Sequence, residues 1–246
     1  MRVPAGEAEI ARARILELAP DGFEEVDCGN EIELAVYTDG TGETHLRSLF
    51  GRVASDPVAD GWEDRWRTFH RAVIVGGLWI GPPWESSPIG ADAVVVDPGR
   101  AFGTGAHPTT RACIELLARE ERRGSVLDAG CGSGVVAIAA QRLGFAPVIA
   151  VDLDETAVEV ARETCQTNRA PVVVRHADVL RDDLPAVDLV VANIELGVVE
   201  HVLARRLCAR AVTSGYLTHD ELVAPGWKRT DRVELDGWAA DVFSAV

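Results

Sequence analysis

Apolar residues recur along this chain in a helical rhythm and an extended one, and the two alternate through its second half. Ala8 to Leu18 sets Ile10, Ile15 and Leu18 at helical spacing, which predicts an amphipathic helix ending at the turn formers Pro20-Asp21-Gly22. Phe23 to Val26 and Glu31 to Tyr37 read as strands joined through Cys28-Gly29-Asn30. Asp39-Gly40-Thr41-Gly42 marks a further turn, and Thr44 to Phe50 fits either a strand or a helix. Trp62, Trp66 and Phe69 then repeat at helical spacing, predicting a short linker helix. Val73 to Ile80 reads as extended, as far as Gly81-Pro82-Pro83-Trp84.

From Val94 onward the order is strand, loop, helix. Val94 to Val96, Ser125 to Asp128, Val148 to Val151, Val172 to Arg175 and Leu189 to Ala192 read as strands. Helices are predicted from about Pro108 to Glu120, Val135 to Leu143, Thr156 to Asn168 and Val198 to Leu207. Such alternation calls for an α/β fold, a doubly wound parallel sheet with crossover helices on both faces. Strand-like, turn-linked runs at Ala211-Val212-Thr213, Val233-Glu234-Leu235 and Ala240 to Phe243 add a closing hairpin. The pattern divides the chain into a small α+β module at 1–55, a linker helix and connector at 56–84, and a Rossmann-like domain at 85–246.

Composition narrows the picture. At 246 residues and 47% hydrophobic, the chain can bury one sizeable core and a small appendage. Five scattered cysteines, Cys28, Cys113, Cys131, Cys165 and Cys208, never fall in a Cys-x-x-Cys pair, so neither a disulfide framework nor structural zinc is expected. No apolar run approaches the length of a membrane span, and no signal peptide opens the chain, so a cytoplasmic protein without membrane association is expected. The net charge of -15 argues against a surface that tracks nucleic-acid phosphates and suits a basic protein partner.

The chemistry gathers at strand ends. Asp128-Ala129-Gly130-Cys131-Gly132-Ser133-Gly134 places glycines between a strand and a helix, where the backbone must turn sharply and approach a ligand. The dinucleotide pattern G-x-G-x-x-G would need its third glycine at position 135, which is Val135. G-x-G-x-G with an acid two residues earlier suits a cofactor with an amino-acid tail, the acid and the loop amides lying near its ammonium and carboxylate. S-adenosylmethionine is such a cofactor. Asp152, about 20 residues on at the next strand end, suits the two ribose hydroxyls, while Asp154 suits a helix cap. Asp178 is placed to accept from the adenine amino group, with Val179 on the ring. Asn193 ends the strand that runs from Leu189, where its amide can orient an attacking amine or hold the methionine portion; the alternative is a turn former. Before all of these runs Asp97 to Thr110, Asp-Pro-Gly-Arg-Ala-Phe-Gly-Thr-Gly-Ala-His-Pro-Thr-Thr. Its Pro108 suits a first helical turn, and its His107 either a general base or a helix-entry role.

These segments, Asp97–Thr110, Val126–Gly134, Ile149–Asp154 and Val190–Leu196, together with the Trp62–Trp84 connector, resemble the bacterial methyltransferases of large-subunit ribosomal protein L-eleven (PrmA-type). The resemblance implies a class I S-adenosyl-L-methionine methyltransferase that methylates lysine ε-amines and the N-terminal α-amine of that ribosomal protein. It implies cofactor contacts from Phe102, Gly103, Thr109, Thr110, Gly130, Gly132, Asp152, Asp178 and Asn193, with Asn193 also catalytic and no metal. The N-terminal module would recognise the substrate. Two departures stand out: Met1-Arg2-Val3-Pro4 leaves almost no room for a first strand, and Glu195 follows Asn193-Ile194 where the family more often has a small apolar run. Alternatives are a lysine methyltransferase of another protein, as in the related electron-transfer-flavoprotein enzymes, or a non-catalytic cofactor-binding module in ribosome assembly. Nucleic-acid base methylation is disfavoured, because Asn193 does not open an Asn-Pro-Pro-aromatic run.

Overall fold

A computed structural model describes residues 1–4, 11, 15, 24–29, 31–36, 40–50, 53–55, 71–98 and 105–246. The chain forms two compact units, Met1–Glu63 and Asp64–Val246. The predicted linker helix around Trp62, Trp66 and Phe69 lies outside the described residues, as do Phe102, Gly103 and Thr104.

The first unit carries a three-stranded antiparallel sheet in the order β1-β3-β2, from β1 (Arg2–Pro4), β2 (Glu24–Asp27) and β3 (Glu31–Ala35). Met1 to Pro4, expected to leave almost no room for a first strand, supplies one of three residues. Three residues suffice, because Val3 points into the core opposite Ile32 while Arg2 reaches the exposed Glu33 carboxylate at 2.8 Å. The Met1 ammonium, donating to the Leu34 carbonyl at 2.7 Å, fixes the strand's start. Of the predicted helix Ala8–Leu18, only Ala11 and Ile15 are described; both are helical and buried beside Val3, Ile32 and Leu34. The turn expected at Asp39 to Gly42 is also corrected: α1 (Gly40–Phe50) begins within it. Turn formers serve equally as a helix start, and Glu43 pairs with Arg47 one turn on at 2.8 Å, while Leu46 is buried and Phe50 packs on the core.

The second unit opens with a small mixed sheet, β4 (Val73–Val75), β5 (Leu78–Gly81) and β6 (Ala93–Val95). Gly76 and Gly77 both have positive φ, +58° and +81°, so the stretch expected to be one extended run folds into a tight hairpin. The run Val94 to Val96, expected to start the parallel sheet, instead pairs with β5. Its free edge is met by Asn168, whose amide oxygen accepts from Val95 N and whose amide nitrogen donates to Val95 O, each at 2.7 Å. The side chain satisfies the strand as a neighbouring backbone would.

The main sheet has seven strands in the order β12-β13-β11-β10-β7-β8-β9. They are β7 (Val126–Ala129), β8 (Val148–Asp152), β9 (Val172–His176), β10 (Leu189–Asn193), β11 (Arg210–Leu217), β12 (Trp227–Leu235) and β13 (Trp238–Ala245). The first five run parallel, and β13 enters antiparallel beside β11 with β12 as its hairpin partner. The central strands are buried on both faces, which is why they read as unbroken apolar runs. One face packs under α2 (Pro108–Arg119), α3 (Val135–Arg142) and α4 (Glu155–Thr167), and the other under α5 (Leu196–Ala204). Among the described residues no helix is long and apolar enough to cross a membrane.

Candidate functional site

Side-chain alternation places Asp128, Asp152 and Asn193 together. Val126 and Asp128 on β7, Ala150 and Asp152 on β8, and Val191 and Asn193 on β10 project from the face that carries α2, α3 and α4. All three polar residues stand at the carboxyl ends of adjacent parallel strands, where an open α/β sheet holds its ligand.

The glycine loop between β7 and α3 is held in its turn by its own amides. Gly130 N and Cys131 N donate to Val151 O at 2.9 and 3.0 Å, Gly132 N to Asp152 Oδ2 at 2.9 Å, and Gly134 N to Cys131 O at 2.8 Å. These amides, expected to face a ligand carboxylate, are therefore engaged within the protein. What the glycines contribute is conformation and clearance. Gly130, Gly132 and Gly134 have φ of +74°, +51° and +79°, and a Cβ at Gly130 would overlap Ile194 Cγ2.

Asp152 is half-buried and its two oxygens are each used once, Oδ2 by Gly132 N and Oδ1 by Asp154 N at 3.1 Å. Each oxygen retains capacity for a second donor. Asp154 caps α4 by accepting from Thr156 N at 2.9 Å. Leu153, between them, is 65% exposed: an apolar side chain left open beside two carboxylates, which the acidic pattern of the sequence does not single out. Asp178 follows β9, accepts from Leu180 N at 2.8 Å and pairs with the exposed Arg181 at 3.6 Å, so a local turn already uses its carboxylate.

Asn193 and Thr110 meet directly, the Asn193 amide donating to Thr110 Oγ1 at 3.4 Å. The helix start is set by His107, the N-cap of α2, whose Nδ1 accepts from Thr109 N at 3.3 Å and lies 2.7 Å from Thr109 Oγ1. Pro108 follows it in the first turn. The Nδ1 lone pair is occupied, the ring stacks edge-on against Trp238, and burial lowers the imidazole's pKa. This is the helix-entry role. Thr109 and Thr110 are both buried, so their hydroxyls organise the loop end more than they project from it.

At these strand ends two buried acceptors among the described residues, Asp128 Oδ2 and Asn193 Oδ1, have no hydrogen-bond partner. Asp128 is 2% exposed, and burial pushes its carboxyl up to about 7 although the Ala137 amide at the start of α3 bonds to it. Unpaired buried acceptors are rare, and two at neighbouring strand ends fit a cationic donor such as an α-ammonium group. One further residue was invisible to pattern reading. Gly215, at φ +100° within a bulge of β11, leaves space filled by the Ile194 carbonyl, so the segment after Asn193 rests on a position only glycine can hold.

Comparison with known proteins places the chain in a family. A family model described as ribosomal protein L11 methyltransferase (PrmA) matches residues 35–231. A protein named ribosomal protein L11 methyltransferase from Myxococcus xanthus is 37% identical over 180 residues, 71% of this chain and 60% of its own length. One so named from Burkholderia cenocepacia is 49% identical over 120 residues, 48% of this chain and 39% of its own. Another from Caldicellulosiruptor saccharolyticus is 40% identical over 136 residues, 54% of this chain and 45% of its own, so the chain spans about half the length of the curated relatives it matches. The crystal structure of a ribosomal protein L11 methylase from Lactobacillus delbrueckii subsp. bulgaricus superposes with a TM-score of 0.64 at 25% identity, over 72% of this chain and 99% of that one.

Proposed function

Because the chain belongs to the ribosomal protein L11 methyltransferase family, we propose that it transfers methyl groups from S-adenosyl-L-methionine to lysine ε-amines and the N-terminal α-amine of ribosomal protein L11. The observation that carries this reading is the family match over residues 35–231, laid on a site whose glycine loop, Asp152 and Asn193–Thr110 pair stand at adjacent strand ends. When bound, the cofactor supplies a methyl group already activated on a sulfonium.

The chain's own residues bind and align. Gly130 and Gly132 let the loop approach the cofactor, Asp152 takes the ribose hydroxyls on its spare acceptor sites, and the open Leu153 packs on the adenine, with Asp178 and Val179 at its edge. Phe102 and Gly103, outside the described residues, and Thr109 are assigned further cofactor contacts on the strength of the family resemblance. Asn193 holds its side chain against Thr110 and turns Oδ1 toward the incoming amine or the methionine portion. In-line alignment of a neutral amine then provides most of the acceleration, since little other chemistry is required. Lysine is mostly protonated at neutral pH, so the site must favour the neutral amine by excluding water and by the neighbouring sulfonium charge.

Residues 1–55 are assigned to substrate recognition, 56–84 to the connector and 85–246 to catalysis. The acidic chain suits a basic partner. Purified ribosomal protein L11 incubated with methyl-labelled cofactor tests the reading: label on lysine side chains and the N-terminal amine is expected, and label absent or confined to other groups contradicts it.

A further inference from the structure

Asp128 is a carboxyl group without a counter-ion. Its side chain lies under the loop, 2% exposed, with Oδ2 unpartnered; among the described residues the Ala137 amide at the start of α3 donates a bond to the carboxyl group. The groups that face it are acidic or neutral from every side: Cys113 from α2, Cys131 from the loop, Cys165 from α4 and Asp152 from β8. No arginine, lysine or histidine among the described residues forms an ion pair with it. Asn193, diagonally placed on β10, adds a second unpartnered oxygen and no charge. A buried carboxylate in such surroundings is strongly disfavoured, whereas a neutral carboxyl group is not.

We infer that Asp128 is a proton-linked receptor for the cofactor's cationic end: the unbound site holds Asp128 as a neutral acid, and entry of the α-ammonium group expels that proton to solvent. The inference rests on the cofactor reading above and deepens it. The proton leaves a carboxyl oxygen, the ammonium keeps its own protons, and the charge of the buried site is balanced before and after. The pH range follows from burial, which holds the free carboxyl near 7. Cofactor affinity therefore falls as pH drops below about 7, by roughly tenfold per unit, and is level above it.

The test is calorimetric titration of the full chain with two probes, S-adenosylhomocysteine, which carries the ammonium group, and 5′-methylthioadenosine, which lacks it. Runs at pH 6.0 and 8.5, each in buffers of different ionisation enthalpy, read out both the dissociation constant and the protons exchanged. S-adenosylhomocysteine is expected to bind about tenfold more weakly at pH 6.0, releasing close to one proton there and almost none at pH 8.5. 5′-Methylthioadenosine is expected to show no pH dependence. In Asp128→Asn the proton release disappears, whereas a proton lost by His107 would persist. Binding of S-adenosylhomocysteine at pH 6.0 with no proton release and unchanged affinity overturns the inference alone. Failure of both probes to bind at either pH overturns the cofactor reading, and this inference with it.

Discussion

At the scale of single residues, Asp128 ties stability to function. Its folded-state pKa of about 7 lies above the ordinary carboxylate value of 3.8. Between those two values the folded chain holds a proton that the unfolded chain has released, so this group's contribution to stability declines as pH rises from about 4 to 7. Asp128→Asn keeps the shape and removes the burden. In urea denaturation without cofactor it is expected to stabilise the protein at pH 8 by about 2 to 4 kcal/mol and to change little at pH 4. An equal effect at both pH values would contradict the assignment. The neighbouring positions act through binding. Gly130→Arg must clear Ile194 and adopt a left-handed backbone, and Asp152→Ala removes the acceptor for Gly132 N and Asp154 N together with the proposed ribose acceptor. Each is expected to raise the dissociation constant for S-adenosylhomocysteine at least a hundredfold, and unchanged affinity in calorimetry would remove that residue from the site.

At the scale of elements, the site depends on how two segments sit against each other. The bulge at Gly215 seats the Ile194 carbonyl, and so fixes where β10 ends and where Asn193 points. Gly215→Ala is expected to cost about 1 to 3 kcal/mol in thermal or urea unfolding and to weaken cofactor binding together with stability. A variant as stable as the parent would show that the bulge tolerates a side chain. This position also marks what the sequence does and does not reveal. The glycine loop, Asp152 and the strand–helix alternation are local patterns, and their physics lies within a few residues of each other. The partner of a strand is not local: β6 has the same apolar composition as a core strand, yet it joins a separate sheet because β5 and Asn168 meet its edges. Gly40 to Gly42 is ambiguous for a different reason, since the residues that favour a turn also begin a helix. Orphaned acceptors such as Asp128 Oδ2 and Asn193 Oδ1 become visible only when every neighbouring donor has been placed.

At the scale of the whole molecule, the two compact units invite a division of labour in which Met1–Glu63 selects the protein substrate and Asp64–Val246 holds the cofactor. A chain beginning at Asp64 is expected to bind S-adenosylhomocysteine within about threefold of the full chain while losing activity on ribosomal protein L11. Normal methylation by the shortened chain would contradict the recognition role. The central claim, that this site methylates amines of ribosomal protein L11, is tested most directly by mass mapping of that protein after incubation with the full chain and labelled cofactor. Methyl groups on lysine ε-amines and on the N-terminal α-amine, absent with Asp152→Ala, are the predicted result. A ribosomal protein recovered without methyl groups, from an enzyme that demonstrably binds the cofactor, would contradict it.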